Sequence, residues 1–226
     1  MIARALSMVE RALASTRRVS FVALWVVLIA QVVWTAFAIF HQHTRPSDLL
    51  YPLVFVPAAA LLAATGGRVG WIAVVPRLLI AFGFLENVAD RLGFLGPPGA
   101  PNVSWGDFHH FIAYTAQVNA FAPAAIIPTL AVLATIGEST CGLLMLVGYR
   151  VRLAAAASAA LLTVFGTAMV ASGLSEAQYN VYLMAVCAWA LAATGSSTLS
   201  VDAVRAASLR PPGREMEERS PLLERP

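Results

Sequence analysis

Hydrophobic runs close to the roughly 20 residues that cross a bilayer core recur along this chain, at 19–40, 49–65, 69–92, 126–147, 153–172 and 177–194. No other feature narrows the fold as much. A backbone inside hydrocarbon has no water to bond to, so such runs form helices that satisfy their own amides and carbonyls. The predicted fold class is therefore an all-α polytopic membrane protein of about six spans. The first two runs, joined by a short polar turn, read as an N-terminal transmembrane hairpin, and the third to sixth follow as four further transmembrane helices. Composition agrees: 59% hydrophobic and 12% charged residues with a mean hydropathy of +0.74 stand far from the roughly 25% charged residues of a soluble domain.

The charges sort by position. The net charge is +3 and every basic residue is arginine, most of them at the ends of runs rather than on a soluble module. That excludes nucleic acid as a partner. An all-arginine chain rich in Ala, Gly, Pro and Val is read as the product of a GC-rich bacterial genome. Cytoplasmic flanks carry the arginine excess, and six spans put Arg4, Arg11, Arg17, Arg18, Arg68, Arg150, Arg152 and the tail arginines on one side. The expected location is the inner membrane, with both termini cytoplasmic. The chain then divides into a basic cytoplasmic segment (1–18), the hairpin (19–68), a four-helix membrane domain (69–203) with an outer loop at 93–123, and a disordered cytoplasmic tail (204–226). The first run exceeds the h-region of a signal peptide, so cleavage is not expected. Within the outer loop, Pro97-Pro98-Gly99 breaks helices, and 105–118 reads as an interfacial or re-entrant helix rich in rings.

Charges inside the runs are the candidates for function, because an ionised group there costs at least about 2.5 to 3.5 kcal/mol unless paired. Aligning the middles of the third and fourth runs puts Arg77 within reach of Glu138, and the two are predicted to form an intramembrane ion pair. Glu86 and Asp90 share a helical face by their i, i+4 spacing. With Asp107, His109 and His110 they are read as an outer vestibule, in which Glu86, Asp90, His109 and His110 handle protons or substrate. His41-Gln-His43 and His109-His110 have poor spacing for metal ligation, and no metal is assigned. Cys141 and Cys187 lie inside runs without a Cys-x-x-Cys motif, so redox chemistry requires a borrowed cofactor.

One family shares the order of these features. Arg77-Leu-Leu-Ile-Ala-Phe-Gly-Phe-Leu opens a first core helix, and Trp105-Gly-Asp-Phe, Tyr114 and Asn119-Ala-Phe-Ala-Pro123 lead to the second. Gly137-Glu138-Ser-Thr-Cys-Gly142, Gly148-Tyr-Arg-Val-Arg152, Phe165-Gly166 and the closing Gly195, Leu199-Ser-Val-Asp202 follow. From Pro76 onward, about two thirds of its length, the chain resembles the DoxX/DoxD membrane family. It departs from that pattern where Glu86-Asn-Val-Ala-Asp90-Arg91 replaces a frequent Gly-x-x-Lys element. The resemblance implies a four-helix membrane fold and a quinone-linked oxidoreductase role, with thiosulfate or another sulfur compound as donor and quinone as acceptor. It also implies a second redox subunit or soluble redox partner, with Arg77, Glu138, Arg152 and Asp202 as the matching polar positions. A homo-oligomer is compatible with it. The alternative is a non-catalytic membrane scaffold that recruits a redox or stress-response partner, since fold and function separate readily.

Overall fold

A computed structural model describes residues 2–41, 50–173, 178–195 and 198–208. All regular structure among the described residues is helical: α1 (Ile2–Ser15), α2 (Arg17–His41), α3 (Leu50–Thr65), α4 (Gly70–Arg91), α5 (Phe108–Val118), α6 (Ile127–Val147), α7 (Val151–Ala171), α8 (Gln178–Thr194) and α9 (Val201–Ser208). Four segments, Arg17–Phe40, Gly70–Arg91, Ala124–Val147 and Val151–Ala171, are long and apolar enough to cross a membrane. Leu53–Thr65 and Asn180–Thr194 are apolar but shorter. His41 ends α2, while the rest of the predicted turn, 42–48 with His43, and the connection at 174–176 lie outside the described residues.

Helices α4, α6, α7 and α8 touch in a closed ring, α4 on α6, α6 on α7, α7 on α8 and α8 on α4. Lipid tails are as apolar as Leu, so helices in a bilayer associate where small residues let backbones approach. Here α8 supplies Ala185, Ala188, Ala190 and Ala192, all buried. The hairpin is not an appendage, because α2 packs along α8 and α3 packs on α4. Leu24, Leu28, Phe55 and Leu62 join Ile80, Met145, Leu183 and Leu191 in one core. Outward faces are apolar too, with Val22, Ile29, Phe82, Ile136 and Val164 more than half exposed, as expected where the solvent is lipid.

The register of α4 against α6 decides where the charges meet. Arg77 lies beside Gly148, Leu85 beside Gly142, and Arg91 beside Thr135 and Glu138. Against the midpoint alignment, α4 has slid along α6 by roughly two turns, about 12 Å. Close contact at Gly142 sets this register, since a Cβ there would come within 3.0 Å of the Leu85 side chain. The slide leaves the first turns of α6 without α4 beside them. The 92–123 segment folds back over that end, and α5 packs on α4, α6 and α7.

At the other end of the bundle, α1 lies across α7 and α8, and Trp189 Nε1 donates to Thr16 Oγ1 at 3.0 Å. Residues 204–208, grouped with the tail on sequence alone, are helical. Residues up to Ser208 belong to α9, whose start is held by Ala203 N donating to Ser200 Oγ at 3.1 Å. Residues 209–226 lie outside the described residues.

Candidate functional site

Arg91 ends α4 and is 1% exposed. Its reach from the last helical turn brings the guanidinium to the middle of α6, where Nη2 donates to Glu138 Oε2 at 2.6 Å. Nη1 donates to Thr135 Oγ1 at 3.2 Å, and Nε to the Asn87 carbonyl at 3.0 Å. The ring of Phe111 lies 3.7 Å from the guanidinium carbon and that of Trp105 lies 5.3 Å away. A desolvated cation over aromatic faces gains about 2 kcal/mol, so the rings of the 92–123 segment, which forms a cap over this end of the bundle, help to hold the pair. The intramembrane pair is therefore Arg91 with Glu138, which corrects the predicted Arg77 with Glu138. The two-turn slide is the physical reason.

Above and beside this pair is a cavity of about 360 Å³. Asn87, Arg91, Glu138 and Tyr114 make its polar end, Thr115 and Asn119 add polar lining from the end of α5, and side chains such as Leu133, Leu161, Phe165 and Met169 make the apolar wall. Burial and the Glu138 charge raise the Tyr114 phenol above its usual range, so it stays an O–H donor. Ser172 Oγ donates to the Val118 carbonyl, tying the end of α5 to the end of α7.

The five residues of the expected vestibule do not meet as one group, and none of them lines the cavity. Asp90 is buried and accepts from the amides of Ser104 (2.7 Å), Trp105 (3.3 Å) and Gly106 (2.8 Å). It acts as a positioning residue that fixes Trp105 over Arg91. Gly106 completes that turn with φ +71°, and a Cβ there would collide with the backbone of Pro97 and Pro98. Glu86, one turn earlier, is exposed. Asp107 and His110 form an exposed pair at 2.9 Å that caps α5, and His109 is exposed beside them.

The remaining motif positions gather at the opposite end in a polar clasp. Arg77 is buried and donates from Nη2 to the Leu199 carbonyl at 2.8 Å and from Nη1 to the Thr198 carbonyl at 3.3 Å. Arg152 donates to the carbonyls of Ala192, Ala193 and Thr194 at 3.1 to 3.3 Å. It thus satisfies the orphan carbonyls at the C-terminus of α8, where a cation also suits the helix dipole. Asp202 accepts from the amides of Arg150 (3.0 Å) and Val151 (2.9 Å), capping α7. Gly148, at φ +68°, leaves no room for a side chain between Ser200 and Arg77.

Sequence reasoning missed Arg91 as the partner of Glu138, and it missed Asn87, Phe111 and Tyr114 as site residues. Arg91 falls four turns after Arg77 on the same α4 stripe as Ile80, Ala81, Phe84 and Val88, and that periodicity was the available signal. No family model, no curated protein and no solved structure matches this chain. Its resemblance to the DoxX/DoxD family rests on the quoted motifs alone.

Proposed function

We propose that this chain is a DoxX-like subunit of a bacterial inner-membrane redox system and that its cavity binds quinone. It spans the membrane six times, with α1 and α9 on the cytoplasmic side and α5 outside. The cavity supports the reading most directly. It falls in the usual range of small-molecule sites, about 300 to 1,000 Å³ of mostly apolar wall with a few convergent polar groups. A quinone carbonyl accepts hydrogen bonds, and Arg91, Asn87 and Tyr114 offer donors at the polar end. The substituted ring and its tail suit the Leu, Phe and Met wall.

Reducing a quinone to a quinol takes two electrons and two protons. Two thiosulfates that join through a new S–S bond release two electrons. The described residues hold no cluster of metal-ligating side chains, and Cys141 and Cys187 are buried free thiols on different helices. In this reading the second redox subunit that the resemblance implies delivers the electrons, and this chain binds, orients and neutralises the acceptor. The arginine distribution supports the orientation, because Arg4, Arg11, Arg17, Arg18, Arg68, Arg150 and Arg205 are all exposed and belong to the clasp end.

The test is mild-detergent purification followed by solvent extraction, with mass analysis of quinone and of co-purifying proteins. Near-stoichiometric quinone that falls at least tenfold in Arg91→Gln is the expected result. Quinone absent from the parent, with a stoichiometric protein partner present, would replace this reading by the scaffold one.

A further inference from the structure

Part of the cavity wall is also outer surface. Leu133 of α6 and Val164 of α7 line the cavity, yet they are 58% and 63% exposed. Helix rise puts Leu133 about 9 Å, and Val164 about 10 Å, inside the α5-bearing ends of their helices. The two stand at one level on neighbouring helices. Toward the clasp the helices close up, since a Cβ on Gly137 would lie 3.3 Å from Leu161. Toward the other end the cap blocks the axial route, with Phe111 over Arg91 and Ser172 bonded to Val118. Asn87, also exposed, lines the polar end in the last turns of α4.

We propose that the cavity is loaded sideways from the bilayer, through a portal between α6 and α7 framed by Leu133 and Val164. Its ligand is an amphiphile whose polar head reaches Arg91 and Asn87 while its tail lies in the portal. The hydrocarbon half-thickness is about 15 Å, so an opening at this depth meets acyl chains rather than water. A tail in the portal keeps its hydrocarbon contacts, and a head that moves from lipid to Arg91 gains donors it lacked. The identity of the head rests on the quinone reading; the portal does not.

Trp105 lines the cavity and reports its occupancy. The experiment uses the full chain in lipid nanodiscs with the other four of its five tryptophans replaced by Phe. Quenching of Trp105 is followed with a decyl-tailed benzoquinone, with the same ring lacking the tail, and with phospholipids brominated along the acyl chain. The tailed quinone should bind at least tenfold tighter than the tail-less one. Leu133→Phe with Val164→Phe should slow its binding at least tenfold and reduce quenching by brominated lipid, whereas Leu143→Phe, on the lipid face of α6 away from the cavity, should change neither. All three positions face lipid, so an unchanged unfolding midpoint is the check that the fold survives. Bromolipid quenching that the double variant relieves, without response to either quinone, retains the portal and overturns the quinone reading. If the tail-less ring binds as fast and as tightly as the tailed one, or the double variant behaves like Leu143→Phe, the portal is overturned.

Discussion

The two ends of the bundle each bury an arginine of α4 and use it in opposite ways. At the clasp, Arg77 is spent on the chain's own carbonyls at Thr198 and Leu199, and Arg152 and Asp202 likewise serve backbone groups. At the cap, Arg91 faces a side-chain acid, two rings and a cavity. Backbone acceptors are covalently part of the fold and cannot be displaced without unravelling it. A side-chain partner beside an empty volume can share its donor with a ligand. The difference separates a fastening from a site, although in the sequence Arg77 was the conspicuous intramembrane arginine and Arg91 was not.

The largest effect should come from breaking the cap pair. Removing one partner leaves an uncompensated buried charge, so Arg91→Gln or Glu138→Gln should each cost on the order of 3 to 5 kcal/mol, with the double change far milder than their sum. Arg77→Gln combined with Glu138→Gln should instead be additive to within about 0.5 kcal/mol. Denaturant unfolding of the detergent-solubilised protein checks both, and coupling between positions 77 and 138 would erase the contrast between the ends.

A smaller effect distinguishes fastening from site by function. Arg77→Gln gives up charge-assisted bonds to two carbonyls but keeps an amide donor that can serve one of them, a net loss of about 1.5 to 3 kcal/mol, and it should leave bound quinone unchanged per folded molecule. Gly148→Ala should act in the same direction, since its positive φ and the nearby Ser200 exclude a Cβ. Quinone loss proportional to unfolding, rather than to the residue changed, would abolish the distinction.

Next in size is the link between loop and site. Asp90→Asn keeps an acceptor but loses the charge that orders three amides, a loss of about 1 to 2 kcal/mol. Its main readout is local: Trp105 emission should shift to the red and protease should cut within 93–106. Bound quinone should fall as well, although Asp90 does not line the cavity. An intact cap in this variant would show that Trp105 is held by its rings alone.

How far the sequence disclosed this arrangement depends on which physical signal was strong. Run length and hydropathy located every long apolar helix to within a few residues, because backbone satisfaction in lipid leaves no alternative. Gly148, Arg152 and Asp202 were picked out only by the family resemblance, which did not say that they fasten helix ends. Helix register was not legible. It depends on Gly142 admitting Leu85, a contact of single atoms that hydropathy does not encode, and it moved the partner of Glu138 from Arg77 to Arg91. The vestibule dispersed because Asp90, one turn from Glu86, faces inward to the loop amides while Glu86 faces out.

The smallest predicted effect lies at the start of α5, where the cap is pH-dependent in a definite direction. The Asp107 carboxyl is held below its ordinary value of 3.8, first by the His110 amide at 2.8 Å and then by the His110 ring. A carboxyl whose folded value is depressed contributes stability that is complete above its unfolded value and is lost as pH falls through the folded one. Docking of α5 over Arg91 should thus be constant from neutral pH down to about 4 and loosen below that. The group is exposed, so solvent screening keeps the effect modest. Asp107→Asn retains an acceptor at the helix N-cap and removes the titration. Amide hydrogen exchange across 108–113, compared at pH 3 and pH 6 after correction for intrinsic rates, should show acid loosening in the parent and much less in the variant. An equal response in both would show that the Asp107 carboxyl is not the source of the acid sensitivity and that the start of α5 is held by its other contacts.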